Sequence, residues 1–105
     1  MKYAVPTDDG MTVGKAFGRA MKFAIYDEGN ATLTIFVNEG ASAEHGAGTG
    51  AVAFLAEKGV TRVFAPELGP KAAEALKRAG MTYSEIGSGI ALATVMADAI
   101  NPNAS

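Results

Sequence analysis

The apolar positions of this chain change period near its middle, and that change orders the elements it predicts. Lys2 to Val5 is a short β-branched and aromatic run that stops at Pro6, followed by the turn cluster Thr7-Asp8-Asp9-Gly10. Met11 to Met21 holds Gly14 and Gly18 around Phe17 and Arg19 with no clean period, so it reads as a structured loop. Phe23-Ala24-Ile25-Tyr26 is a second strand. A turn at Gly29-Asn30 leads to Ala31–Val37, where Leu33, Ile35 and Val37 alternate with Thr32, Thr34 and Phe36. Strands two and three are therefore expected to be antiparallel.

Beyond Gly50 the period lengthens to that of helices. Ala51, Val52, Leu55 and Ala56 fall on one face of a first helix, and Gly59 is placed to end it. Val60–Ala65 is a fourth strand, broken by Pro66. Pro70 opens a second helix whose Ala73, Leu76 and Ala79 are expected to face inward, Glu74 is spaced to pair with Arg78, and Gly80 closes it. Met81 to Ile86 is a fifth strand. Ser88 is positioned to cap a last helix carrying Leu92, Val95, Met96, Ala99 and Ile100, with Pro102 marking its end. Three strands with hairpin-type links followed by two that alternate with helices make an α/β architecture, one mixed sheet with helices on both faces. Loops after Val5, Val37 and Ala65 would then gather at one rim of the sheet, where α/β sites form.

Composition narrows the possibilities. The 105 residues are 49% hydrophobic and 19% charged, which fits one folded domain spanning 1–105. A net charge of -2 leaves no basic excess to neutralise a run of phosphates, which argues against a general nucleic-acid binder and leaves room only for a local basic spot. There is no cysteine, and with it go disulfides, thiolate nucleophiles, Cys-type zinc sites and cysteine-held clusters. The N-terminal apolar run is too short for a signal peptide, and no stretch of about 18 apolar residues is present to span a membrane. A cytoplasmic location is expected, with no membrane partner.

The candidate chemistry is concentrated in Glu39–Gly50, EGASAEHGAGTG, which carries His45, the one histidine, beside Gly46, Gly48 and Gly50, with Thr49 leading into the first helix. Glycines at a helix N-terminus present free N–H groups and the positive end of the helix dipole, a suitable place for an anion, and their missing Cβ atoms admit a ligand closely. The spacing G-x-G-x-G is only a loose match to a dinucleotide fingerprint, and no GK[ST] follows, so a Walker-type loop is excluded. His45 reads either as a solvent-exposed loop residue or as a metal ligand and proton carrier. One imidazole cannot close a protein metal site, but a preassembled cluster brings most of its own ligands. Asp8-Asp9 before Gly10 reads as a turn and is assigned no chemistry. Arg19, flanked by Lys15 and Lys22, either holds an anion or pairs with Asp27 or Glu28. No nucleophile–base pair can be named, which argues against an enzyme.

The opening MKYAVPTDDG, the FGRA and FAIYD that follow, the HGAGTG loop and GVTRVFAPELGPKAAEALKRAG together resemble the dinitrogenase iron–molybdenum-cofactor biosynthesis family over nearly the whole chain. That resemblance implies a ribonuclease H-like, three-layer α/β/α fold with a five-stranded mixed sheet of order 3-2-1-4-5. It implies a binding or carrier role for an iron–sulfur or molybdenum-containing metal–sulfur cluster, exchanged with a donor or acceptor protein by a monomer or weak homodimer. By position, His45 corresponds to the family's histidine-and-glycine loop and Arg19 to its FGR motif. Ala16 stands where members often carry His before FGR, and Glu44 where many carry a further histidine. The first strand lacks the acidic residue that a two-metal nuclease of this fold needs. The resulting expectation is an anion cradle made of Arg19, Gly46, Gly48, Thr49 and Gly50, with His45 as the metal ligand. The alternative from another class is a nucleotide- or phosphate-binding regulatory module that uses the same glycines without metal.

Overall fold

The computed structural model describes residues 1–41 and 46–100, the last two for their backbone only. Its elements run β1 (Lys2–Thr7), β2 (Lys22–Asp27), β3 (Thr32–Val37), α1 (Ala47–Glu57), β4 (Arg62–Ala65), α2 (Pro70–Arg78), β5 (Thr82–Glu85) and α3 (Leu92–Ile100). The five strands form one sheet in the order β3-β2-β1-β4-β5. β1 and β3 both lie antiparallel to β2, while β4 is parallel to β1 and β5 to β4. The expected mixed sheet and its order are both found.

Alternation sends the two sides of each strand into separate cores. Ala4, Phe23, Ile25, Val63 and Ala65 pack with Ala51, Val52 and Leu55 of α1 and Ala72 and Leu76 of α2. On the opposite side Tyr3, Val5, Ala24 and Phe64 meet Leu92, Val95 and Met96 of α3. Both helices of the first layer end alike. The N–H of Gly59 reaches the carbonyl of Ala56 and that of Val60 the carbonyl of Leu55, and Gly80 and Met81 repeat the pattern on Lys77 and Leu76. These are paired Schellman closures, with Gly59 and Gly80 left-handed at φ 83° and 77° and a buried apolar residue following each. They give the recurring helix–Gly–strand pattern its physical meaning.

Several boundaries and faces differ from expectation. β1 runs on through Pro6 and Thr7. The Pro6 carbonyl accepts from Gly14 N–H at 2.9 Å, so the edge of Pro6 that lacks a donor faces a loop and not a ladder. Ala56, Ala73 and Ala79 are exposed, and Ala47 and Ala72 are buried instead. Alanine is too small and too evenly spread to phase a helix, so Leu55 and Leu76 decide the inward face. Ser88 does not cap α3. Residues 89–92 pair with the loop after β1, through Gly89 N–H to Val13 O, Val13 N–H to Ile90 O and Leu92 N–H to Met11 O, and the helix begins only after that pairing. β4 and β5 are shorter than expected because Val60 and Met81 belong to the helix closures. In the β2–β3 turn the left-handed residue is Ala31, φ 54°. The inward placement of Ala99 and Ile100 and the stop at Pro102 lie outside what is described.

The largest departure is β3. Leu33, Ile35 and Val37 are 47%, 39% and 67% exposed, and Phe36 is the side chain that packs, its ring 5.9 Å from Phe54 of α1. The register puts Leu33, Ile35 and Val37 on the α3 side, opposite Tyr26, Ala24 and Lys22, and α3 packs over Tyr3, Val5 and Phe64 without reaching this edge.

Candidate functional site

The loop between β1 and β2 is built first by its own polar residues. The buried Thr7 donates from Oγ1 to the carbonyl of Thr12 (2.7 Å) and accepts from Gly10 N–H (2.9 Å). Asp9 Oδ1 accepts from the N–H groups of Met11 and Thr12, both at 2.8 Å, and Oδ2 from the Thr12 hydroxyl. Those backbone donors, Thr12 first, hold the Asp9 carboxyl down to about 2. Asp8 Oδ1 accepts from Met21 N–H at the far end of the loop. Asp8-Asp9 is thus a turn and a tie, as its spacing suggested.

The same loop is pinned onto the sheet from two more sides. Phe17 is buried with its ring 5.4 Å from that of Phe23. Asn38, at the end of β3, donates from Nδ2 to the carbonyls of Gly18 (3.0 Å) and Ala20 (2.8 Å). Gly18 then sits directly against the first turn of α1. A Cβ there would lie 2.6 Å from Gly48 N and 2.7 Å from its Cα, and a Cβ on Gly48 would lie 3.0 Å from that of Ala72 in α2. Gly18 and Gly48 are therefore glycines of close approach, bringing the loop and both helix starts together.

The result is a cavity of about 600 Å³ at the rim where β1, β3 and β4 end, lined by the loop residues 15–19, the start of α1 at 46–49, and Glu67 with the start of α2 at 69–72. The loops after β1, β3 and β4 do gather there, at the side of β1 where the strand order reverses. Both helices present open N-termini to it. Gly46 (φ 74°) and Gly69 precede α1 and α2 with no side-chain cap among the described residues, and neither first turn holds an acid. Thr49 Oγ1 donates to the Gly46 carbonyl, so it does not cap the first-turn N–H groups. Among the described residues, Lys15, Arg19 and Lys71 line the cavity together with one carboxylate, Glu67. Pro70, Phe17, Ala47 and Ala72 supply apolar wall.

Of the residues expected to form the cradle, Arg19, Gly46, Gly48 and Thr49 meet at this cavity. Arg19 Nη1 donates to the carbonyl of Ala41 at 3.2 Å, which ties the FGR loop to the segment after β3, whereas Asp27 and Glu28 stand at the opposite end of β2. Gly50 lies in the first turn of α1, exposed and off the lining. His45 lies outside the described residues. The missing Cβ of Gly48 leaves room for Ala72 of α2. Lys71 and the place of the start of α2 on this cavity escaped sequence reasoning, and Lys15 enters it only as a neighbour of Arg19. Gly69-Pro70 marked a helix start, but nothing local in it points to a shared cavity. Among the described residues no three His, Cys, Asp or Glu side chains come together to hold a metal ion. No described helix is long and apolar enough to cross a membrane.

Over residues 1–101 the chain matches the model of the dinitrogenase iron-molybdenum cofactor family. It belongs to that family. A Methanocaldococcus jannaschii protein of uncharacterised function is 32% identical over 84 residues, 77% of this chain and 70% of its own length. Among solved structures, the apo orange protein of Desulfovibrio gigas superposes with a TM-score of 0.88 at 26% identity, covering 96% of this chain and 88% of that one. The NMR structure of a Thermotoga protein, described as a candidate NifB, gives 0.77 at 30% identity over 97% and 88%. Ala16, just before the Phe17-Gly18-Arg19 segment, also lines the cavity.

Proposed function

We propose that the chain binds a preformed, anionic iron–sulfur or molybdenum–sulfur cluster at this cavity and carries it between proteins, without turning it over. The observation that carries the reading is the convergence of two helix N-termini without side-chain caps and three cationic side chains on one cavity with apolar walls. A sulfide-bridged cluster is anionic and soft at its surface. First-turn N–H groups and helix dipoles complement its charge, Arg19 and Lys71 add charge-assisted hydrogen bonds, and Phe17 and Pro70 give apolar contact to sulfide faces. A cargo held mainly by backbone and side-chain donors is released by a better ligand set on an acceptor, which suits transfer. His45, carried in the loop just before Gly46, supplies the one protein ligand. Membership of the family and the likeness to an orange protein solved in its apo form support the same reading.

Anaerobic reconstitution with iron and sulfide, or with tetrathiomolybdate, followed by visible spectra, tests it. The wild type is expected to take up the chromophore, His45→Ala to lose it, and Arg19→Gln and Lys71→Gln to weaken uptake by about tenfold each. Ala16→His, which restores an imidazole at the cavity wall, is expected to tighten it. Equal uptake by wild type and His45→Ala removes His45 from the site, and no uptake by any protein removes the function. Amide shifts at 46–50 produced by ATP or inorganic phosphate, without chromophore uptake, would instead select a phosphate-binding module at the same cradle.

A further inference from the structure

We infer that β3 is a self-complementary edge through which two copies of this chain pair, antiparallel, into one continuous ten-stranded sheet. β3 is an outer strand of the sheet, so among the described residues one side of its backbone has no ladder partner. Which residues face outward follows from two hydrogen bonds. Asn38 N–H donates to Met21 O at 2.9 Å on the β2 side, and Glu28 N–H donates to Met1 O on the β1 side. With the register Lys22↔Val37 through Asp27↔Thr32, antiparallel alternation turns the N–H and C=O of Thr32, Thr34 and Phe36 toward β2 and those of Leu33, Ile35 and Val37 outward. The residues with outward backbone groups are the same three whose apolar side chains are exposed.

An edge like this is normally guarded by charge, proline or a bulge. Thr32–Val37, TLTIFV, has no charged residue and no proline, and it pairs with β2 without interruption. Pairing about a two-fold axis at Ile35 sets Ile35 against Ile35 of the second copy and Leu33 against Val37. Each of these pairs of outward-facing residues then exchanges two N–H···O bonds, the Thr34–Phe36 pairs between them do not, and the apolar side chains line up on one face. On the other face Phe36 meets Thr34. The charges fit this occupant: Lys22 stands beside Val37, and across the junction from it come Leu33 and Tyr26 of the second copy, so no like charges oppose each other on neighbouring strands. A partner strand charged at alternate positions would instead press its charges against Leu33, Ile35 and Val37. One strand per copy buries well below the roughly 1,200 Å² of a standard interface, so the dimer is weak and its dissociation constant is on the order of 100 µM. Because the two-fold axis reverses strand direction, the cavities lie on opposite rims of the joined sheet, and both stay open. The inference is independent of what the cavity binds.

Sedimentation equilibrium from about 10 µM to about 1 mM, a span that brackets weak association, tests it alongside Ile35→Lys and Leu33→Lys. Both side chains are exposed, so both variants should keep the fold, which circular dichroism checks. The wild type is expected to rise toward twice the monomer mass while the variants remain monomeric. In hydrogen exchange of the wild type at high concentration, the amides of Leu33, Ile35 and Val37 should gain protection, and those of Thr32, Thr34 and Phe36 should not change. A wild type that stays monomeric throughout overturns the inference. So does a dimer that Ile35→Lys leaves intact, or protection gained elsewhere and not at these three amides.

Discussion

The two ends of α1 and α2 treat the same problem in opposite ways. Each helix leaves unpaired carbonyls at its C-terminus and unpaired N–H groups at its N-terminus. At the C-terminal ends the chain closes them itself, through Gly59 with Val60 and Gly80 with Met81, and buries the closure in the core. At the N-terminal ends Gly46 and Gly69 provide no side-chain acceptor, and both open turns are brought to one cavity by the contact of Gly18 with Gly48 and of Gly48 with Ala72. Ends that are only structural are satisfied internally. The ends at the cavity carry no side-chain cap among the described residues.

Four substitutions probe that contrast. The largest effect is expected at Gly18, because a Cβ 2.6 Å from backbone atoms has nothing flexible to displace. Gly18→Ala should cost about 3 kcal/mol in urea unfolding, the upper part of the overpacking range, and should abolish cluster uptake by prising the loop from the helix starts. A normal midpoint would mean that the close approach does not hold the site together. Next come the closed ends. Gly59→Ala and Gly80→Ala force a Cβ into the left-handed region and should each cost about 1–2 kcal/mol while leaving uptake by the folded protein unchanged. Loss of uptake from either would erase the distinction between the two ends. The smallest effect in stability is the most pointed in function. Gly69 is extended (φ -66°, ψ 160°), a Cβ there meets nothing within 4 Å, and Gly69→Asp supplies the missing cap. It should stabilise by a few tenths of a kcal/mol, seen as a slightly higher Tm, and weaken anion uptake by occupying the donors and adding a negative charge. Stronger uptake by this variant would contradict the anion cradle.

Elements and closures were legible because the forces that set them are local. The alternation of residues 31–37, Pro70 at a helix start, Gly59 and Gly80 at helix ends and the Glu74–Arg78 pair, found at 2.6 Å, all act within a few residues. Their errors have local causes too. Alanine-rich faces gave no phase to α1 and α2, and Ser88 met all the cues of a cap while its neighbours were pairing with Val13. The site was half legible. Arg19, Gly46, Gly48 and Thr49 stood out as chemistry in a loop and Lys15 as a neighbour of Arg19, but the closeness of Gly48 to Ala72 and the place of Lys71 on the cavity did not.

By itself, then, the sequence determined which segments are strands and helices, where the first two helices stop, which chemistries a cysteine-free chain lacks, and, through its PTDDG, FGRA and HGAGTG segments, the family and the sheet order. Only the tertiary structure decided that the start of α2 meets the start of α1 at Ala72 and Gly48, with Gly18 packed on Gly48, and that α3 stops short of β3 and leaves Leu33, Ile35 and Val37 uncovered. The reason is range. Periodicity and capping depend on neighbours along the chain. A shared cavity or an uncovered edge depends on how far each packed helix reaches over the sheet, and side-chain volumes tens of residues apart set that distance.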